Sequence, residues 1–350
     1  GTVSGLKWRG GRGGRCAPRL LSSKPIAIAW SLMSAILLTP TWSGDRDHFA
    51  LLRQTLARSG LADVPHQVVV QTEDEAAFRP FVEGAVSLQT TAEVLPGPIE
   101  ARRQQARRHS ARLGVWGTRM AGSLALRAGG FPQWTRYTGW HVQQISKLAA
   151  AAASPVDTVV VVDCDVAVLP GAGLADFVDA QGRIVCLHRQ APASAMGTKQ
   201  RRWCTQAHAL LQQPMPSSGL LDTSFDTPFV FHAPTVRRFF AYLEQRHDQP
   251  WWQVLLSQPV RRWSEFASYR LFLRHHVPAE QVQWRITDRL IQPIYNEPTP
   301  AAVAQRFSEL MAVPGTHYTT IHTQSGGKRL WGADAYAPLL LAQLDAARGA

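Results

Sequence analysis

The chain has 350 residues, 45% of them hydrophobic, and a formal net charge of +12. That length and mixture exclude a disordered or fibrous chain and allow one large α/β domain or two modest ones. The charge points to an anionic partner, whether nucleic acid, membrane surface or phosphorylated substrate, without choosing among them.

Before Met33 the sequence is Gly/Arg-rich and carries Lys7, Arg9, Arg12, Arg15, Arg19 and Lys24 with no acid. The apolar run at residues 26–38 mimics a signal peptide. It is short for a membrane span, no small-residue cleavage pattern follows it, and it passes directly into Thr39-Pro40-Thr41-Trp42. We read residues 1–32 as a disordered basic extension, or as residues upstream of a true start at Met33, and residues 34–39 as the first core strand. A single polybasic signal binds membranes weakly, which leaves peripheral contact with the inner face of an anionic membrane as an alternative.

Strand-like runs follow at 67–70, 85–88 and 158–162, with helical patterns at 45–59 and 75–82. Between them Arg102, Arg103, Arg107, Arg108, Arg112 and Arg119, against Glu100 alone, predict a charged helix or loop, either a solvated surface or a trap for an anionic acceptor. Residues 138–153 form the clearest helix, with Trp140, Ile145, Leu148 and Ala149 on one side and a stop at Ser154-Pro155. Further strands are expected at 184–187, 229–232 and 318–323, and helices at 235–245 and 264–275. The alternation predicts an α/β fold with a mixed, mainly parallel sheet and helices on both faces. No internal repeat appears, so one domain over residues 33–335 with a C-terminal helix at 336–350 is the economical reading. Cys16, Cys164, Cys186 and Cys204 are far apart and lack CxxC spacing, which suits a reducing, cytoplasmic location.

Asp163 and Asp165 end the strand Val159-Val160-Val161-Val162. Residues two apart on an extended backbone face the same side, and in open parallel sheets ligands bind beyond the carboxyl ends of the strands. Two carboxylates held together repel unless a cation lies between them, and Mn²⁺ or Mg²⁺ suits such oxygen ligands. Spacing alone is weak, because a strand-end Asp often only caps a turn.

Context strengthens it. The runs Leu37-Leu38-Thr39-Pro40-Thr41-Trp42 with Asp45, Gly139-Trp140-His141-Val142-Gln143-Gln144-Ile145-Ser146-Lys147-Leu148, Val162-Asp163-Cys164-Asp165, Thr227-Pro228-Phe229-Val230-Phe231 and Trp263-Ser264-Glu265-Phe266-Ala267-Ser268-Tyr269 occur in that order. Together, over residues 33–327, they resemble the GT-A glycosyltransferases, Rossmann-like enzymes, and within them a group of little-characterised bacterial proteins. The resemblance implies a nucleoside-diphosphate sugar as donor, a divalent metal at Asp163 and Asp165, an unidentified glycan, lipid-linked or small-molecule acceptor, a donor half at 33–170 and an acceptor half at 171–335. It further implies that Thr39, Pro40 and Thr41 receive the nucleoside, that Asp165 is the more direct metal ligand, and that Asp163 contacts ribose or metal-bound water.

Gln144 and Lys147, three apart on one helix, share a face that in the resembling proteins lies beside the donor; a solvated lysine is the alternative. Asp45, and Asp74 after the second strand, could touch donor or cap a helix. Glu265 and Tyr269 share a face in a W-S-E-x-x-x-Y pattern, implying Glu265 as general base and Tyr269 as a donor-side residue, or else a structural glutamate. His322 and Lys328 are similar to the late His-x-x-Gly-x-Lys segment of glycosyltransferase family eight, where the His completes the metal shell and the Lys reaches the diphosphate. The spacing departs from that pattern, and a buried strand histidine is equally compatible. Glu265 as base implies inversion and His322 leans to retention. The competing class is a nucleic-acid or anionic-polymer binding protein without catalysis; it lacks helix-turn-helix, RRM or zinc-finger spacing, so no nucleic-acid partner is expected. A nucleotidyltransferase would need a Gly-rich phosphate loop after the first strand, which is not present.

Overall fold

The apolar run that precedes Asp163 lies in an interior strand of the main sheet, because valines on both faces need cover on both sides. The computed structural model describes residues 35–127, 136–137, 139–216, 218–322, 324–325 and 328–349. The expected basic extension, Met33 and the start of the first strand at Ser34 lie outside the described residues. All described residues belong to one compact unit, Ser34–Ala350.

In chain order the strands are β1 Ala35–Thr41, β2 His66–Val70, β3 Val86–Thr90, β4 Thr158–Val161, β5 Val166–Val168, β6 Ile184–His188, β7 Gln190–Pro192, β8 Leu220–Asp222, β9 Phe229–His232, β10 Val282–Ile286, β11 Ile294–Tyr295, β12 Tyr318–His322, β13 Gln324–Ser325 and β14 Lys328–Arg329. The helices are α1 Arg46–Leu56, α2 Glu75–Phe78, α3 Thr91–Val94, α4 Gly97–Arg127, α5 Trp140–Ala153, α6 Thr198–Leu210, α7 Ala233–His247, α8 Trp251–Ser257, α9 Glu265–His276, α10 Pro300–Met311 and α11 Ala337–Gly349.

The main sheet has the order β3-β2-β1-β4-β9, parallel throughout except for β9, which runs antiparallel to β4. This is the expected α/β fold with a mainly parallel sheet, Rossmann-like in the order of its first four strands. Its topological switch lies between β1 and β4, where an open α/β sheet leaves a crevice at the carboxyl ends of its strands. Leu37, Val68, Val70, Val160 and Val230 pack with Phe49, Leu52 and Phe78 into the core over one face. In a separate three-stranded sheet β12 lies between β11 and β5, and its Tyr318, Thr319 and Thr320 pair antiparallel with Val168, Ala167 and Val166. Since β5 begins directly after Asp165, this ladder draws the end of β12 beside the end of β4.

The expected elements differ from the observed ones mainly at their ends, while α6, α8, α10 and β10 have no predicted counterpart. The helix expected at 75–82 is α2 followed by a 3-10 turn Arg79–Phe81, because Pro80 cannot donate to a continuing helix. The arginine run is helical and lies in α4. Before α5, Gly139 sits at φ 62°, a left-handed conformation that a side chain would strain.

Candidate active site at the switch point

Behind the end of β4 a hydrogen-bond chain fixes the backbone. Arg53 approaches His66 Nδ1 at 3.0 Å, His66 Nε2 lies 2.8 Å from Thr39 Oγ1, and Thr39 Oγ1 donates to the carbonyl of Val162 at 2.6 Å. A guanidinium can only donate, so Nδ1 accepts, the imidazole is neutral, and its proton sits on Nε2. Burial, with the Arg53 charge second, drives His66 down to about 3. The carbonyl immediately before Asp163 is therefore held by a relay that starts on α1. Thr227 Oγ1 accepts the Asp163 N–H at 3.1 Å.

The two aspartates then diverge. Lys147 Nζ lies 2.9 Å from Asp163 Oδ1 and donates to Oδ2 at 3.1 Å, and stands 3.3 Å from Glu265 Oε1. Burial pulls this lysine down, but the two carboxylates overcome it and hold it at about 12, as a fixed internal cation. Glu265 is buried at the start of α9, and burial, with the Asp163 charge adding, raises its carboxyl. Gln144 Oε1 accepts the Glu265 N–H at 3.0 Å, which supplies a cap that α9 otherwise lacks at that amide.

Among the described residues Asp165 has no such cation. A third of its side chain is open; removal from water, then the charges of Asp163 and Asp45, push its carboxyl up to about 7, against the pull of Lys147. His322 Nδ1 lies 3.7 Å from Asp165 Oδ2, and its ring stacks on Tyr295 at 4.7 Å and 7°. The β5–β12 ladder makes this contact, since the Ile321 N–H donates to the Asp165 carbonyl at 2.8 Å.

Two adjoining cavities share Asp45, Trp140 and Gln143 in their walls, and Asp165 and His322 line the second. The first, about 630 Å³, runs along the carboxyl ends of the sheet over Pro40, Thr41, Gln71 and Thr91 and is closed by Arg103 and Arg107. Arg103 is buried in a carboxylate clamp, with Glu73 at 2.7 and 3.0 Å and Glu100 at 2.7 and 3.0 Å, and it also donates to Gln71 at 3.1 Å. Glu73 also pairs with Arg107. Trp42 Nε1 donates to Asp45 Oδ2 at 2.7 Å, and Asp74 accepts the Ser43 N–H at 3.0 Å, so the loop after β1 is tied down at both ends. Asp45 makes no side-chain cap for α1.

The second cavity, about 850 Å³, holds Asp163, Cys164, Asp165, Asn296 and His322 on one side and Lys199, Trp203, Phe225 and Asp226 in its remaining wall. Trp203 stacks on Trp140 at 5.7 Å, meets Phe225 at 4.7 Å, and has Lys199 Nζ 4.6 Å above its ring. A space with carboxylates at one side and aromatic faces at the other suits a polyhydroxylated ligand, because rings stack on its C–H faces while carboxylates take its hydroxyls.

The profile of DUF6492, a family of unknown function, matches residues 43–309. The chain belongs to this family. No curated protein matches it. Among solved structures, the apo structure of the bifunctional glycosyltransferase WbbM is similar over 89% of this chain at 12% identity and a TM-score of 0.43. The chain spans about half of that protein, 49%.

In this DUF6492 protein the residues expected from sequence fall into two groups. Pro40, Thr41, Asp45, Asp163, Asp165 and His322 line the cavities. Thr39, Gln144, Lys147, Glu265 and Tyr269 are buried and line neither. Thr39 is a strut of the relay, and Gln144 and Lys147 turn their shared face to α9 instead of to a ligand. The Glu265 carboxylate lies against Lys147, Oε1 3.3 Å from Nζ, and lines neither cavity. Tyr269 Oη accepts the His232 N–H at 3.0 Å inside the core. Lys328 lies in β14, and its side chain lies outside the described residues. Sequence reasoning missed Gln143, Lys199, Trp203, Asp226 and Tyr295; the only signal was the aromatic and basic content of residues 198–203, which reads as an ordinary surface helix.

As to a metal, no group of three or more His, Cys, Asp or Glu side chains among the described residues is arranged to hold one. Asp163 is occupied by Lys147. Asp165 with His322 offers one oxygen and one imidazole ligand, a pair that suits Mn²⁺, and the excess negative charge of Asp163 and Asp45 around Asp165 favours a cation there. The residues fit a divalent ion at that pair, with its other positions left to ligands outside the protein.

Proposed function

We propose that this DUF6492 protein is a metal-dependent glycosyltransferase that moves a sugar from a nucleoside-diphosphate sugar to an acceptor hydroxyl. The observation that carries it is Asp165 at the switch point, in the wall of the second cavity and with no paired cation among the described residues, beside a first cavity that shares Asp45, Trp140 and Gln143 with the second. The first cavity takes the nucleoside over Pro40 and Thr41, with Arg103 and Arg107 on the anionic side of the ligand. The second takes the sugar and the acceptor against Trp203, Trp140 and Phe225. The GT-A reading of the fold is supported by the strand order and by a carboxylate pair at the end of β4.

Asp165 and His322 would hold Mn²⁺ or Mg²⁺, which supplies charge neutralisation for a departing nucleoside diphosphate. The chain's own part is positional. The Arg53–His66–Thr39 relay fixes the backbone before Asp163. Lys147 holds the Asp163 carboxylate in one orientation, ready to accept a hydroxyl of ribose or a water. Asp226, in the wall of the second cavity, replaces Glu265 as the carboxylate facing acceptor space. The thiols of Cys164, Cys186 and Cys204 are free and buried, in keeping with a reducing cytoplasm.

Calorimetry with a panel of UDP and GDP sugars, with and without Mn²⁺, tests the reading. Metal-dependent binding of at least one donor is expected, lost in Asp165→Asn. Absence of any donor binding with Mn²⁺ in excess would overturn it.

A further inference from the structure

We infer that α4 is a docking arm for an anionic lipid surface. The helix is anchored at its start, where Ile99, Arg103 and Ala106 are buried. From Arg107 to Gly114 each residue is exposed except the half-buried Ser110, so the arm leaves the body of the protein. It carries Arg102, Arg108 and Arg112 exposed, and exposed apolar side chains join them on either side of a kink at Gly114 with φ 64°: Leu113, just before it, is 51% and Met120, after it, 65% exposed. No acidic residue occurs in residues 101–156, so nothing in the following sequence answers this charge.

The combination selects the partner. Exposed arginines alone fit any polyanion, but Leu113 and Met120 cost free energy in water and gain it only against apolar material. A basic helix with apolar side chains lies in the interface of an anionic bilayer by burying those side chains below the headgroups. No helix among the described residues is long and apolar enough to cross a membrane, so the contact is made by lying on the surface. A nucleic acid would use the arginines and leave Leu113 and Met120 without a role. The same helix presents Arg103 and Arg107 to the first cavity, so docking sets that cavity close to the lipid surface. None of Arg102, Arg108 and Arg112 lines either of the two adjoining cavities, so lipid binding and donor binding fail separately.

Flotation of the full chain with vesicles of phosphatidylglycerol and phosphatidylethanolamine, against vesicles of phosphatidylcholine, tests the inference. The chain should float with the anionic vesicles only. The triple variant Arg102→Gln, Arg108→Gln, Arg112→Gln should lose about a hundredfold in partitioning, at roughly fivefold for each arginine near an anionic surface. The double variant Leu113→Gln, Met120→Gln should lose about tenfold or more while its binding to a short oligonucleotide stays unchanged. All these side chains are exposed, and melting temperatures equal to the parent's establish that the variants fold. If the triple variant floats like the parent, binding resides elsewhere in the chain and the arm is refuted. If the double variant floats like the parent, the site reads charge alone and is a polyanion site, which refutes it equally.

Discussion

Asp163 and Asp165 are two residues apart and face the same crevice, yet the protein treats them in opposite ways. Behind Asp163, the seam between α5 and α9 supplies Lys147 and Glu265, a buried cation between two carboxylates. Around Asp165, the neighbours are Asp163, Asp45 and a histidine that burial holds below its usual range. The difference separates architecture from function. Charge that belongs to the fold is neutralised inside the fold, whereas charge left uncompensated at a cavity is waiting for something from outside.

The sharpest way to break that contrast is Lys147→Met. It strands Asp163 and Glu265 without their cation, and removing one partner of a buried ionic set costs about 3–5 kcal/mol. A urea midpoint near the parent's would show that the seam does not need the lysine. Next in size is Glu265→Gln, which keeps Asp163 for Lys147 but removes one charge-assisted contact, a loss of about 1.5–3 kcal/mol. Here the readout also separates roles. A structural Glu265 lowers the melting temperature and leaves the pH profile of any transfer activity in place, whereas a general base would shift or abolish its acid limb.

The relay behind β4 makes a smaller, pH-dependent contribution. His66 is held neutral in the fold at about 3, below its unfolded value near 6.5. A group depressed in the folded state stabilises fully above its unfolded pKa. Stability should therefore fall as pH drops from about 6.5 towards 3, with a slope of about 1.4 kcal/mol per pH unit for this one histidine. His141, which burial lowers to about 4, adds a similar slope over a shorter window. Unfolding titrations at successive pH values should show proton uptake on unfolding in this range, reduced by one proton in His66→Gln. Unchanged uptake in that variant would mean the imidazole is not the group that titrates.

How much of this was legible in the sequence depends on distance along the chain. The strand before Asp163, the helix over Trp140–Ala153 and their order are local patterns of period 2 and 3.6, and they hold. Helical spacing also places Gln144 with Lys147, and Glu265 with Tyr269, on common faces. It cannot say which way a face points, and all four turn to the core. His322 beside Asp165 depends on a ladder between strands about 150 residues apart, β5 and β12, which no local pattern encodes. The wall of Lys199, Trp203 and Asp226 was invisible for the same reason: α6 is polar over most of its length, and only packing against Trp140 and Phe225 turns part of it into a cavity lining.

The smallest expected effect on stability is the most telling one. Asp165→Asn keeps the volume of the side chain and removes a charge that Asp163 and Asp45 oppose, so the melting temperature should stay equal to the parent's or rise slightly. The same substitution removes the carboxylate proposed to hold the metal with His322, so Mn²⁺-dependent binding of a nucleotide sugar should weaken at least about tenfold, or about 1.4 kcal/mol. A residue retained for the fold would show the reverse, a lower melting temperature with binding intact. Measured beside Lys147→Met, the pair forms a double dissociation: one variant loses the fold's stability, the other loses only the ligand. Should Asp165→Asn destabilise as Lys147→Met does, the two aspartates would be equivalent parts of one structural cluster, and the reading of Asp165 as a ligand-facing charge would fall.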